Sequence, residues 1–230
     1  MTTWHRARQA ARRGRFFELY RRRMVPVVGA DGGWHGTDRT MGFREKAWHC
    51  LALLAGGADD VKLANAILRS LEPKHCHFTP MTFLQLLRRH PGRLEPEVRA
   101  RMEGYVRAAL PPAADPRIHV TMYNDNFASL SCFTLIVSGA LLGDPAAVET
   151  GRGRLEGIRD LFRRRGTLME YGSPTYTPVN THIFAELATF APDSGTLELA
   201  LGCEHRMWAE IAAHWHAPSG HLAGPYSRSY

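Results

Sequence analysis

The sequence predicts an all-α protein, an array of αα-hairpins with inner and outer helix layers. Three observations carry that expectation. One layout of helix, tight turn and helix recurs four times, over 42–71, 82–110, 126–162 and 180–215. The turns GGADD, HPGRLEP, GDPAA and APDSG supply the Gly, Asp, Ser and Pro that stop one helix and cap the next. Strand patterning is confined to VVGADGG (27–33) and RIHVTMY (117–123), enough for short strands at most.

The first element is a basic helix over 1–24. Eight arginines against Glu18 in residues 1–23 account for the whole formal net charge of +7, so the remainder is neutral. Such a helix reads as a solvated face, with an anionic-surface or nucleic-acid contact as its functional alternative. A second region, 25–230, holds the hairpins, spaced at roughly 40–50 residues as in helical repeat architectures. Their arms differ. FASLSCFTLIVSGALL (127–142) is apolar on nearly every face and predicts a buried inner helix. Its partner, VETGRGRLEGIRDLF (148–162), turns Val148, Leu155, Ile158 and Phe162 inward and its charges outward. Turns from inner to outer arm are short, whereas the returns (25–41, 72–81, 111–125, 164–179, 216–230) are long. All returns are expected on one rim, where loops on a rigid scaffold carry function.

Composition narrows the class. With 44% apolar and 22% charged residues the chain is in the globular range. No uninterrupted apolar run approaches the ~18 residues of a membrane span, and the N-terminus lacks a secretory core. A cytoplasmic protein with no membrane partner is expected. Cys50, Cys132 and Cys203 lie in apolar helical context and are expected to be buried thiols, while Cys76 sits within His75-Cys76-His77. No CxxC, HExxH, P-loop, GxGxxG or GxSxG is present, so neither a metal site nor a cofactor is expected. The pairs His75/His77 and His214/His216 are read as structural, with His214 at a helix end.

The rim strings YNDN (123–126), EYGSPTYTPVN (170–180) and AGPYSRSY (223–230), together with the layered hairpins, resemble the (α/α)6 toroid, or six-hairpin, superfamily. That superfamily includes many glycoside hydrolases, heparinase-type polysaccharide lyases and a few non-carbohydrate enzymes. The resemblance covers roughly 25–230 and implies a carbohydrate-active enzyme. A closed toroid has six hairpins, whereas four and a leading helix are legible here. The expectation is an incomplete toroid lacking its C-terminal hairpins, with an open solenoid as the alternative. An unpaired last hairpin would expose apolar surface and promote self-association.

The candidate residues come from those strings. Asp125 or Asn124 is placed to cap the helix opening at Phe127, leaving Tyr123 and Asn126 to face the cleft. Pro174 and Pro178 are expected to keep 170–180 out of helix, and Gly172 to allow a geometry or close approach that a Cβ would block. Glu170, Tyr171 and Tyr176 are then presented for acid–base work, with His182 beside them, and Asn180 either caps the next helix or binds substrate. Tyr226, Arg228 and Trp34 are candidate substrate contacts, Arg228 for a uronate carboxylate. A rim rich in Tyr, His and Asn and poor in acids favours lyase-type β-elimination of a uronate-containing glycan. The alternatives are hydrolysis by the pair Asp125 and Glu170, or a non-catalytic helical-repeat binding scaffold. A carbohydrate is the expected partner; nucleic acid is not.

Overall fold

The computed structural model describes residues 3–29, 33, 35, 41–72, 74, 76–120 and 124–228. Trp34, Tyr123 and His75, singled out above, lie outside the described residues. The protein is all-α and divides into two compact units, Met1–Val106 and Arg107–Tyr230.

The first unit contains α1 (Thr3–Met24), a 3-10 turn (Val25–Val27), α2 (Phe43–Leu54), α3 (Ala58–Ser70), α4 (Thr79–Arg89) and α5 (Pro96–Ala108), in which the boundary falls. Within VVGADGG the expected extended geometry is a bridge: Gly29 N donates to Gly33 O and His35 N to Val27 O, both at 2.8 Å. Helix α4 is buried along Thr79–Leu87, and its Phe83 stacks edge-on with Phe43 and Tyr105, ring centres 5.7 and 4.7 Å away. Helices α3 and α5 bury a single stripe each, Ala64, Asn65, Ile67 and Leu68 in one and Val98, Met102 and Val106 in the other. The first turn of α4 absorbs Pro80, so this helix begins at Thr79 rather than Thr82. Proline costs nothing there, because the first-turn N–H groups have no intrahelical acceptor.

Polar staples at the short turns join one hairpin to the next. Asn65 of α3 donates to Arg93 O at 2.9 Å and accepts from Glu95 N at 2.8 Å. Arg93 Nη1 reaches back to Leu54 O and Gly56 O, the carbonyls left open at the end of α2. The basic α1 docks on α2 through Tyr20 OH to His49 Nδ1, at 3.2 Å, and on α3 through Arg21 to Asp60, at 2.7 Å.

The second unit contains α6 (Leu110–Ala113), α7 (Asp125–Leu142), α8 (Pro145–Arg165), α9 (Tyr176–Phe190), α10 (Ser194–His214) and a two-residue hairpin, β1 (Trp215–His216) with β2 (His221–Leu222), followed by a tail. Residues 111–113, expected as loop, belong to the single helical turn of α6. Arg154 Nη1 (2.6 Å) and Ser131 Oγ (2.7 Å) donate to its Ala113 carbonyl. Helix α7 has the length and apolarity of a membrane span, but 78% of it is buried by the protein's own packing. It is an inner helix, as expected, and packs against α8, whose buried residues are Ala147, Gly151, Leu155, Ile158, Leu161 and Phe162. Two glycines permit that approach: a Cβ on Gly139 would lie 2.8 Å from Asp144 O, and one on Gly151 would lie 2.8 Å from Leu135 Cβ. The GDPAA turn has Gly143 at φ +69°, Asp144 accepting from Ala147 N at 3.0 Å, and Pro145 in the first turn. In α9, Phe184 is fully buried against Phe162, ring centres 6.3 Å apart, a burial worth roughly 1.5–3 kcal/mol. Cys50, Cys132 and Cys203 are buried thiols, as expected; burial pushes the Cys203 pKa up to about 12.

Candidate functional site

In the second unit, the loop before α7, the loop before α9 and the tail converge at the N-terminal ends of α7 and α9. The loop chemistry explains how. Thr167 Oγ1 and Gly172 N donate to the two carboxylate oxygens of Glu210 on α10, the latter at 3.0 Å, which fastens 167–172 to that helix. Gly172 has φ +61°, and a Cβ there would sit 2.9 Å from Pro225 O. Both expected reasons for glycine hold: a left-handed backbone and a close approach, here of the tail. The tail is held by Ser227, whose N and Oγ both donate to Tyr171 O, at 3.2 and 3.1 Å. Ser173 Oγ accepts from Tyr176 N at 3.1 Å and starts α9.

This arrangement delivers Arg228 onto Glu170. Arg228 Nη1 donates to Glu170 Oε1 at 2.6 Å and to Asn124 Oδ1; Nη2 donates to the Tyr176 hydroxyl at 3.1 Å. The guanidinium also lies over the Tyr176 ring, 4.3 Å from its centre. The Glu170 side chain is fully buried, whereas that of Arg228 is 30% exposed. Glu170 further accepts from Asn126 N at 2.9 Å and from Asn126 Nδ2 at 2.8 Å on both oxygens. In return, Asp125 Oδ2 accepts from Glu170 N at 2.8 Å. The two carboxylates therefore cap each other's segments, and the Glu170 charge sits at the positive end of α7. Burial raises the Asp125 pKa to about 7; the like charge of Glu170 adds to this, against the opposing backbone hydrogen bonds.

Several buried polar atoms in the first two turns of α7 and α9 have no hydrogen-bond partner among the described residues: Asp125 Oδ1, Asn126 Oδ1, Ser129 Oγ, Thr177 Oγ1 and both amide atoms of Asn180. An unmet buried donor or acceptor costs roughly 1–3 kcal/mol. These helices therefore carry polar groups in excess of what their own packing uses.

The structure thus unites Asp125, Asn126, Glu170, Tyr176 and Arg228 from three sequence-distant strings. It corrects several placements. Asp125 is the buried first residue of α7 and Asn126 is turned onto Glu170, so neither side chain faces an open cleft. Pro178 does not break the helix: α9 starts at Tyr176 and takes Pro178 into its first turn, where a missing N–H costs no hydrogen bond. Asn180 is consequently inside α9 and buried, neither a cap nor a surface contact. His182 lies exposed within α9, not on the rim loop. Tyr171 contributes its carbonyl to the tail while its side chain stays exposed, and the Tyr226 hydroxyl donates to Leu222 O. Ser173 and Glu210 are site residues that the sequence does not single out: a serine between Gly and Pro and a glutamate in an amphipathic helix carry no distinguishing pattern. Among the described residues no three His, Cys, Asp or Glu side chains gather as metal ligands. His214 ends α10, as expected, with Nδ1 2.9 Å from Glu210 O.

The model of a family described as a domain of unknown function, DUF8769, matches residues 57–230. The chain belongs to that family. The match takes in every residue of the Arg228 cluster and leaves α1 and α2 outside. No curated protein and no solved structure matches the chain.

Proposed function

We propose that this member of the family is a glycan-cleaving enzyme that acts by β-elimination on a uronate-containing substrate, with Tyr176 and Arg228 at the reacting centre. The observation that carries the reading is the half-buried Tyr176–Arg228 pair, fixed on a buried carboxylate. A phenol oxygen that accepts from a guanidinium is suited to bear negative charge, as a general base must. Arg228 is also the cation that a uronate carboxylate would meet. In the step itself, Tyr176 takes the proton next to the carboxylate, the bond to the leaving oxygen breaks, and a carbon–carbon double bond forms. The same phenol returns the proton to the leaving oxygen, so no cofactor is consumed. The hairpin layers and loop strings that resemble the six-hairpin superfamily support the substrate class. Hydrolysis by Asp125 and Glu170 is less well supported, because both Glu170 oxygens are already bonded and its side chain is buried.

A second reading has its own observation. Glu170 is so completely bonded that the cluster also suits a purely structural clasp for the tail. Incubation with a panel of uronate polysaccharides separates the two. Elimination releases products with the ultraviolet absorbance of an unsaturated uronate, and Tyr176→Phe abolishes that signal while circular dichroism and thermal unfolding stay unchanged. New reducing ends without the absorbance, or no cleavage of any polymer, would overturn the proposal.

A further inference from the structure

Helix α1 lies outside the stretch matched by the family model. It carries the entire net charge of the chain. Its inner side is used: Tyr20 and Arg21 hold it to His49 and Asp60. Its outer side has a pattern that helical spacing makes continuous. Arg12, Phe16, Leu19 and Arg23 follow at intervals of four, three and four residues, along one face. Arg15 and Arg22 flank that stripe, and all six side chains are exposed, Phe16 at 62% and Leu19 at 48%. Two large apolar side chains amid arginines are not explained by a solvated face, which needs only the charges.

We propose that the outer face of α1 docks onto an anionic lipid surface. The chemistry selects that occupant. A membrane interface takes guanidinium groups at the headgroups and Phe and Leu at the acyl boundary, so it satisfies the whole stripe. A nucleic acid or acidic protein segment would engage the arginines and leave Leu19 without a role. A second copy of the chain would set like charges against each other. The proposal replaces the expectation of no membrane partner. The sequence alone does not reveal which face of the helix is committed to α2 and α3, and so does not show that Phe16 and Leu19 point away from the protein.

The full chain is sedimented with phosphatidylcholine vesicles with and without phosphatidylserine, alongside titrations with a short DNA duplex and a short RNA. The expected result is binding to the phosphatidylserine vesicles, at least about tenfold weaker to neutral ones, and weakening with added salt as exposed charges are screened. The double substitution Phe16→Ser and Leu19→Ser leaves the charge intact and is expected to weaken vesicle binding at least about tenfold, as two inserted apolar side chains require. Arg12→Glu with Arg15→Glu is expected to do the same. Circular dichroism checks that each variant keeps its helix. Absent vesicle binding, a serine double variant that binds like the parent, or tighter binding to either nucleic acid than to vesicles would overturn the proposal.

Discussion

At the scale of single residues, Asp125 makes the sharpest prediction. Its carboxyl holds a proton up to about 7, whereas an aspartate in the unfolded chain releases it near 3.8. Between those values the folded state binds a proton that the unfolded state has lost. Stability from this group is complete below the lower value and is lost as pH rises through the higher one, by at most roughly 1.4 kcal/mol per pH unit. Urea denaturation across that window should show the decline, and Asp125→Asn, which keeps the acceptor for Glu170 N, should flatten it. Arg228 makes a second. Arg228→Ala leaves Glu170 buried without its cation and should cost roughly 3 kcal/mol in the same measurement. Adding Glu170→Gln should restore part of that loss, because the uncompensated charge is then gone. A single substitution without measurable cost would mean that the bonds from Asn126 alone hold the carboxylate.

At the scale of elements, the close approach of α7 and α8 depends on glycines. Gly151→Leu places side-chain atoms where Leu135 and Ile136 already stand, and should cost roughly 1–3 kcal/mol, read from the denaturation midpoint. Gly153, two residues on, has open space where a Cβ would stand and should tolerate Ala. Elements are also where the sequence is most legible. The GDPAA and APDSG turns are readable because Asp144 and Asp193 act locally, each accepting from a backbone N–H three residues on. The starts of α4 and α9 differ from expectation for one reason: proline signals a break but is harmless in a first turn, and only the surrounding fold decides which applies. For α9, Ser173 Oγ accepts from Tyr176 N at the helix start, in a loop that Glu210 holds from another helix.

At the scale of the whole molecule, association is the property to test. Leu197, Leu201 and Trp208 are exposed along one side of α10, with Trp208 at 53%. Exposed apolar side chains grouped on one helix face are the kind of surface through which chains associate. Sedimentation velocity should show concentration-dependent association that Trp208→Glu diminishes; a concentration-independent monomer would argue against an interface there. The sequence by itself determined the all-α class, the hairpin spacing, the buried thiols and the strings that hold Asp125, Asn126, Glu170, Tyr176 and Arg228, because periodicity, capping and burial preference are local. Tertiary structure alone decided what those strings do together. Asp125 and Glu170 cap each other across 45 residues, and Arg228 reaches Asn124 across 104. Local sequence cannot encode such pairings, because they exist only once the tail has folded back over Gly172.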